Sequence, residues 1–474
     1  MNFYTSLIYK TVFVLFLLTC STVHSQTADS NAYYKIGKIE ITGNRKTKDR
    51  IILRELIKKE QDTFLLKNIT RLNQRQEYNI FNTQLFIYDS IACNVNDSSK
   101  LVNYKIKVKE RWYIWPIPFV GYLDRNVNAW WQNKDVSRLA YGLQLSLENF
   151  SGVKDRLLLQ FRTGYADQLV INYRLPYLNK KQTLGSYVQY AFNEFNKLQY
   201  TTTQNKQQFV VDDVSHLRID NSVRAGLFFR PRLFEYHAFD VGAYHVWVSD
   251  RINSLNPNYL INSNNTLSFI SLSYRATYDD RDNKVYPLKG TVLDLTISKD
   301  GLNTKDDSPL DYAQTILTFK EFIPLHSKFN LATLWRGRLV NTEQQVPFIY
   351  NQALGYSNFI RGYEYNVIDG QNFFLTKNSL RFELIKPKFH EIDKLKKLRS
   401  FSTIPFYAYV NLFIDAGRVQ EKYYHQQNTF ANNWQYGYGV GLDLITYYDF
   451  VMRMEYSINK MKQSGFFIHF ASGF

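Results

Sequence analysis

The chain has 474 residues, a formal net charge of +16 and 16% aromatic residues. Its mean hydropathy of −0.36 excludes a bundle of transmembrane helices, which would be far more apolar. A wide β-barrel that is apolar outside and polar inside gives a value of this kind, and its two aromatic girdles would account for the many Tyr and Phe residues.

The N-terminus predicts a signal peptide over residues 1–25. A short apolar core, Thr11–Thr19, precedes a cleavage site after Ser25. A lipoprotein signal at Cys20 is the weaker alternative, because the residue before the cysteine fits that signal poorly. Removal of the signal peptide leaves Cys93 as the one cysteine, so no intramolecular disulfide can form in the exported chain.

Residues 33–111 predict one small β-α-α-β-β domain. Tyr34–Thr42 alternates as a strand, and Thr47 is placed to cap the first helix. The remaining predicted elements are helices over 47–59 and 65–83 and strands over 85–94 and 101–109. The domain carries 17 Lys and Arg against 9 Asp and Glu. Export excludes nucleic acid as a partner for this charge; a solvated surface, anionic lipid and acidic clients remain as alternatives.

Residues 112–474 predict a transmembrane β-barrel. Stretches of about ten residues alternate between apolar and polar side chains and are separated by polar turns, as is typical of barrel strands. We count sixteen antiparallel strands, starting near residues 113, 141, 155, 168, 183, 218, 237, 267, 290, 312, 329, 375, 405, 434, 449 and 465. The last strand carries alternating aromatics that include Phe470 and Phe474, an ending usual for outer-membrane barrels. The fold class is therefore mostly β, with the small domain in the periplasm.

Four motifs follow one another along the barrel. They are Asp280-Arg281-Asp282 with Pro287 and Gly290, then Arg361-Gly362-Tyr363, then Phe413-x-Asp415-x-Gly417, then Gly437-x-Gly439-x-Gly441. Their order and strand parity resemble the BamA/TamA superfamily of outer-membrane protein insertases and translocases. The domain over 33–111 resembles one polypeptide-transport-associated (POTRA) repeat. BamA itself has several such repeats and the two-partner transporters have two, so the subfamily stays open.

The resemblance implies that the longest late loop, loop six, folds into the barrel and that Arg361 pairs there with lumenal acids. Glu383 and Asp415 each lie on the polar face of their strand, so both carboxylates are expected to point into the lumen. A guanidinium can bind two carboxylates at once, which suits this position. The alternative is that Arg361 extends into solvent.

Two other interpretations of these motifs are weaker. The spaced glycines could suggest a nucleotide-binding loop, but no helix follows them, so strand glycines that let the wall bend or the loop approach are favoured. The acids at 279, 280 and 282 could bind a cation, but a turn held by Arg281 is favoured. No nucleophile with a neighbouring base can be argued, so we expect neither an enzyme nor a cofactor.

The resemblance also implies a function. The seam between Tyr113–Leu123 and Gly465–Phe474 would open sideways and pair with strands of unfolded outer-membrane or secreted client polypeptides. Outer-membrane lipid and accessory periplasmic or outer-membrane proteins would be the other partners. The rival hypothesis is a dedicated secretion channel or a passive pore for a single partner, with a stable seam and steady conductance.

Overall fold

The computed structural model describes residues 31–122, 139–212, 216–302, 310–342, 344–391, 403–446 and 450–470. They form a small α/β domain followed by a sixteen-stranded β-barrel. The predicted signal peptide and Phe474 lie outside the described residues. Within those ranges, no helix has the length and apolar character needed to cross a membrane.

The N-terminal domain is a four-stranded sheet that packs with two helices around one core. Its elements are β1 (Tyr33–Thr42), α1 (Asp49–Leu53), β2 (Thr63–Leu65), a 3-10 turn (Leu66–Asn68), α2 (Ile69–Phe81), β3 (Phe86–Asn96) and β4 (Leu101–Glu110). The strand order is β2-β1-β4-β3, with β1 parallel to β4. Alternate residues of β1 and β4, such as Ile36 and Ile106, face this core and are fully buried.

Three details of this domain differ from the sequence prediction. Helix α1 ends at Leu53 instead of continuing to residue 59, and the Thr47 side chain does not cap it. The Thr47 hydroxyl instead lies 2.9 Å from Tyr113 Oη and accepts a hydrogen bond from Asn149 Nδ2 at 2.9 Å, both outside the domain. The short strand β2 was not predicted, because three residues give no measurable alternation.

The barrel wall contains the predicted sixteen strands, each within three residues of its predicted start. They are β5 (Ile114–Tyr122), β6 (Leu139–Glu148), β7 (Arg156–Gly164), β8 (Ala166–Leu175), β9 (Leu184–Phe195), β12 (Arg218–Phe229), β13 (Glu235–Val248), β14 (Thr266–Asp279), β15 (Gly290–Asp300), β16 (Tyr312–His326), β17 (Phe329–Asn341), β20 (Asn372–Glu391), β21 (Thr403–Gln420), β22 (Trp434–Ile445), β23 (Val451–Asn459) and β24 (Ser464–Phe470). Successive wall strands pair antiparallel, with β5 and β24 at the two edges of the sheet.

The remaining short elements lie in the connections between wall strands. They are the hairpin β10 (Lys197–Thr203) and β11 (Lys206–Val211), helix α3 (Asp250–Leu255), a 3-10 turn (Phe348–Tyr350), the pair β18 (Gln352–Leu354) and β19 (Ile368–Asp369), and a 3-10 turn (His425–Gln427). The hairpin falls inside a segment that the sequence analysis treated as loop.

The wall has an apolar outer face and a polar inner face. In β22, Tyr438 and Val440 are exposed, whereas Asp443 on the opposite face is buried. The same outer face continues around the barrel, and its exposed apolar side chains include Leu143, Phe161, Ile171, Val188, Leu227, Val241, Leu272, Ile297, Leu317, Leu339 and Leu412. Such a surface requires hydrocarbon around it, because a soluble protein rarely leaves so large an apolar area in water.

The N-terminal domain docks against the strand connections at one end of the barrel, called here the proximal end. Buried Glu55 accepts hydrogen bonds from Arg230 Nη1 at 2.8 Å and Nη2 at 3.0 Å. Beside it, Arg54 Nε donates to the Gln182 carbonyl at 2.7 Å. Connections at the opposite, distal end include residues 196–212, 249–265 and 344–371.

Burial has the largest single influence on the pKa of Glu55, but the cations around this carboxylate together outweigh it. Burial alone would raise that pKa, but the charge and the paired hydrogen bonds of Arg230 bring it to about 2, below the usual 4.5. A carboxyl group whose pKa is lower in the folded state stabilises that state above its unfolded pKa. This stabilisation, roughly 3 kcal/mol, is lost as the pH falls from about 4.5 toward 2.

We therefore predict that Glu55→Gln removes part of the acid sensitivity of the folded protein. Calorimetric melting of the wild type should shift to lower temperature between pH 5 and pH 3 by more than melting of the variant does. Glu40→Gln is the control, because Glu40 is exposed on the same domain. Equal acid sensitivity of the wild type and Glu55→Gln would contradict the prediction.

Candidate functional site

Loop six, residues 342–371 between β17 and β20, folds into the barrel lumen. Its apolar side chains Ile360 and Tyr363 are buried and pack in one cluster with Leu375 of the wall. This packing carries the polar side chain of Arg361 inward, where the residue is only 1% exposed. A buried cation needs partners, since an isolated charge in such a place would cost several kcal/mol.

Two wall carboxylates neutralise Arg361. Its Nε and Nη2 donate to the two oxygens of Asp415 at 2.8 and 2.6 Å. Its Nη1 donates to Glu455 Oε1 at 3.0 Å. The planar guanidinium of Arg361 thus binds Asp415 through two hydrogen bonds, as predicted, and it also binds Glu455 of the next-to-last strand, β23. Both acids are almost completely buried.

Further contacts fix the guanidinium in the lumen. Arg361 Nη2 also lies 3.1 Å from Ser379 Oγ of β20. The guanidinium carbon lies 3.8 Å from the ring centroid of Phe413, a cation–π contact. Its backbone N–H donates to Asp415 at 3.1 Å, so loop backbone and side chain both bind the same strand.

Glu383, the second acid predicted from the sequence, is not a partner of Arg361. Its backbone N–H donates to the Lys328 carbonyl at 2.9 Å, next to the hairpin that joins β16 and β17 at the proximal end. Glu383 therefore lies near the proximal end of β20, too far from loop six to pair with Arg361. Glu455 takes this role; it lies between Met454 and Tyr456 in β23, so the alternation along that strand places it on the polar, lumenal face.

The motif glycines let loop six approach the wall. Gly362 has φ +94°, a backbone conformation that favours glycine. A Cβ on Gly437 would lie 1.9 Å from the Arg361 carbonyl oxygen, and one on Gly417 would lie 2.9 Å from Leu354 Cδ1. Gly439 faces the Phe413 ring in the same way, and Gly441 faces the Asn411 amide. The wall strands therefore carry glycine at the positions where loop six, or a side chain that supports it, leaves no space for a side chain.

Loop six also contacts the last strand. Tyr363 Oη donates to Gln435 Oε1 at 2.9 Å, next to the start of β22. The Phe359 ring stacks on His469 at 5.3 Å, and the Tyr365 ring packs on Phe467 at 5.4 Å. Sequence analysis missed these contacts, because nothing in the local pattern shows which wall strand a loop reaches. The loop thus joins β20 to β24 from inside.

The Asp280-Arg281-Asp282 motif forms the proximal connection between β14 and β15. Arg281 donates from Nε and Nη2 to the Asp279 carboxylate at 2.8 Å each. Asp282 Oδ1 accepts backbone hydrogen bonds, including one from Lys289 at 3.2 Å. Gly290 has φ +114°, and its close packing against residue 281 leaves no space for a side chain. The motif is a turn held by Arg281.

This turn is also a contact point for other parts of the chain. Arg75 of α2 donates to the Asp280 carbonyl at 2.7 Å. Arg381 Nη1 of β20 donates to the Pro287 carbonyl at 3.0 Å, inside the barrel. Within the ranges that the structure describes, no group of three or more His, Cys, Asp or Glu could hold a metal ion.

An apolar outer wall, a polar lumen occupied by an ion-paired loop and a small docked domain together define an outer-membrane β-barrel protein with a periplasmic domain. The Omp85 superfamily domain matches residues 149–466, and the chain belongs to this superfamily. The POTRA family, described as a surface antigen variable number repeat, matches residues 34–111. The resemblance drawn from the four motifs is confirmed, and the proximal end is the periplasmic end.

Solved structures share the fold at low sequence identity. BamA from Haemophilus ducreyi lacking POTRA domains 1–3 aligns with a TM-score of 0.50 and 16% identity, over 92% of this chain and 83% of that chain. CdiB from Escherichia coli aligns with a TM-score of 0.55 and 10% identity, over 93% of this chain and 76% of that chain. Comparison with curated protein sequences gives no match. At such low sequence identity, these similarities show a shared fold only.

The geometry predicts which acid holds loop six. Asp415→Asn and Glu455→Gln should each lower the temperature at which the folded band disappears on a semi-native gel. Each change removes one partner of a buried cation, which costs roughly 3–5 kcal/mol. Glu383→Gln is the matched control and should melt close to the wild type. A loss for Glu383→Gln as large as that for Asp415→Asn would contradict the assignment.

We also predict that Gly437→Ala displaces loop six. The added methyl group would overlap the Arg361 carbonyl, so the loop must move and become open to trypsin. Gly337→Ala in β17 is the control, because the nearest atom to the added methyl group would be the Phe373 carbonyl oxygen, at 3.8 Å. Equal trypsin resistance of loop six in the two variants would show that the close approach is not needed.

Proposed function

We propose that this protein is an outer-membrane assembly factor that inserts or translocates unfolded client polypeptides through the seam between β5 and β24. It works without a nucleotide, metal or catalytic residue, because strand pairing itself supplies the free energy. A client segment in hydrocarbon forms a strand where backbone partners are offered, since each unsatisfied polar group there costs several kcal/mol.

The hydrogen-bond pattern of β5 carries this proposal. Glu148 N–H donates to the directly opposite Tyr113 carbonyl at 2.7 Å, so this pair is hydrogen-bonded. In an antiparallel pair such positions alternate, and the residues between them point their backbone groups away from the partner strand. Residues 114, 116, 118 and 120 therefore direct their backbone toward the seam.

Two of these seam-facing positions are Pro116 and Pro118. Proline has no N–H, so β5 can donate from Ile114 and Val120 but not from the two positions between them. A strand that lies across the seam therefore cannot accept backbone hydrogen bonds from these two positions. The edge of β5 is therefore weaker than an ordinary wall pair, and a client strand can compete for it.

The two edge strands are held by different parts of the molecule. Tyr113, which precedes β5, donates from its hydroxyl to the Leu85 carbonyl of the periplasmic domain at 3.1 Å. The last strand instead packs on loop six through Phe467 and His469. Motion of the periplasmic domain relative to loop six would therefore separate the edges, which supports a seam that opens.

The distal end argues against a steadily conducting pore. The tip of the β10–β11 hairpin reaches loop six, where the Val367 N–H donates to the Asn205 carbonyl at 2.9 Å, and it also reaches the connection between β21 and β22, residues 421–433. Phe430 N–H donates to the Asn205 side chain at 3.0 Å. These contacts, together with loop six in the lumen, obstruct the distal mouth, so the rival pore would need both to move.

Depletion of the protein followed by a survey of the outer-membrane proteome tests the proposal. An insertase predicts a broad loss of barrel proteins. Loss of one exported protein would indicate a dedicated transporter, and an unchanged proteome would reject both functions.

The prolines give a sharper prediction. Pro116→Ala with Pro118→Ala restores two N–H donors at the seam, so it should strengthen the seam and slow client insertion in vesicles. Ile114→Ala with Val120→Ala is the control, because it also trims outward side chains of β5 but adds no donor. Insertion by the proline variant at the rate of the wild type would show that the missing donors are irrelevant.

A further inference from the structure

A cavity of about 320 Å³ lies between the periplasmic domain and the proximal turns of the barrel. Cationic side chains dominate its lining. The cations are Lys154, Arg174, Arg230, Arg275, Arg281 and Lys284, and the acids are Glu55, Glu235 and Asp279. The cavity therefore has an excess of positive charge, although it lies inside the protein.

The acids of the cavity are already paired. The pairs are Glu55 with Arg230 at 2.8 Å, Asp279 with Arg281 at 2.8 Å and Glu235 with Arg232 at 2.9 Å. Arg275 pairs with Asp294 at 2.7 Å, outside the lining. In the part of the chain that the structure describes, no carboxylate lies within 4 Å of the ammonium groups of Lys154 and Lys284.

Lys154 lies in an environment that disfavours its positive charge. Burial lowers the pKa of Lys154 to about 7, and Glu55 offsets only part of that effect. Lys284 is more exposed than Lys154, and the carboxylate of Asp279 near it already pairs with Arg281. Both lysines lie on proximal turns, so the site faces the periplasmic entrance. A bound carboxylate would stabilise both ammonium groups.

A second cavity of about 770 Å³ shares Lys154 and Lys284 with the first and extends toward β5. Its lining adds aromatic side chains, among them Trp115, Phe228 and Phe450. Cations beside aromatic surface suit a polypeptide with both acidic and apolar side chains. A lipid headgroup fits less well, because the cavities lie on the lumenal side of the wall, whereas lipid surrounds its outer face.

We infer that Lys154 and Lys284 bind side-chain carboxylates of an extended client segment as it enters the lumen, with its apolar side chains on the aromatic wall. The inference rests on the proposed function and adds the chemistry of the client: acidic residues next to apolar ones. The site lies on the way from the periplasmic domain to the seam strand β5, where a client would pass before pairing.

Binding of short fluorescent peptides to the purified full chain in detergent tests this site. One peptide alternates apolar residues with Asp and Glu, and its twin replaces them with Asn and Gln. Fluorescence anisotropy should show the acidic peptide binding at least about tenfold more tightly, a difference of about 1.4 kcal/mol. Equal affinity for the two peptides would overturn the inference.

Matched variants locate the site. Lys154→Gln with Lys284→Gln should abolish the preference for the acidic peptide, whereas Lys154→Arg with Lys284→Arg should retain it. Lys180→Gln with Lys181→Gln removes the same charge from an exposed proximal turn and should leave the preference unchanged. Retention of the preference by the first variant, or its loss in the Lys180 and Lys181 control, would overturn the assignment.

Inorganic phosphate separates a polypeptide site from a phosphate site. Millimolar phosphate should displace the acidic peptide only weakly; displacement as effective as that by unlabelled peptide would assign the cavity to phosphate and reject the inference. The outcome is independent of the insertion assay. Selective binding without insertion would reject the proposed function and keep the site, whereas insertion without selective binding would reject the site alone.

Discussion

The structure depends on one constraint: inside hydrocarbon, each backbone N–H and C=O needs a partner within the protein. The antiparallel sheet meets this requirement along fifteen strand pairs, which follow one another from β5 to β24. The backbone groups that these pairs do not satisfy are those on the outer edges of β5 and β24, at the seam. Because Pro116 and Pro118 remove donors from the seam face of β5, we propose that the backbone pairing of the wall is weakest at the seam.

Loop six gives this wall an internal support on one side of the seam. Arg361 binds acids of β21 and β23, and the aromatic residues around it reach β24. A buried ion pair is seldom a net source of stability, but breaking one is costly, so such a pair specifies one position of the loop. The strands from β20 to β24 thus form one supported unit, while β5 is tied to the periplasmic domain through Tyr113. In the proposed mechanism, the seam lies between these two units and opens when one moves relative to the other.

Much of this architecture could be predicted from the sequence, because the period of two along each strand records which face meets lipid. The strand count and the lumenal positions of Asp415 and Glu455 follow from that alternation. The alternation does not show how far along the barrel axis a residue lies. Glu383 and Glu455 share the lumenal face, and only the three-dimensional structure shows that Glu455 lies level with Arg361. Thr47 similarly looked like a helix cap, since the sequence does not show that the barrel would cover it. The cationic cavity also escaped prediction, because its lysines come from turns far apart in the chain.

The most direct test of the account is a reversible lock across the seam. A cysteine pair that joins β5 to β24, in a Cys93→Ser background, would be reconstituted in vesicles and given an unfolded outer-membrane barrel polypeptide. The measurement is the rate at which this client becomes protease-resistant. The account predicts that the oxidised protein fails to insert the client and that a reductant restores insertion. Equal rates for the locked and the reduced protein would contradict lateral opening as the basis of function.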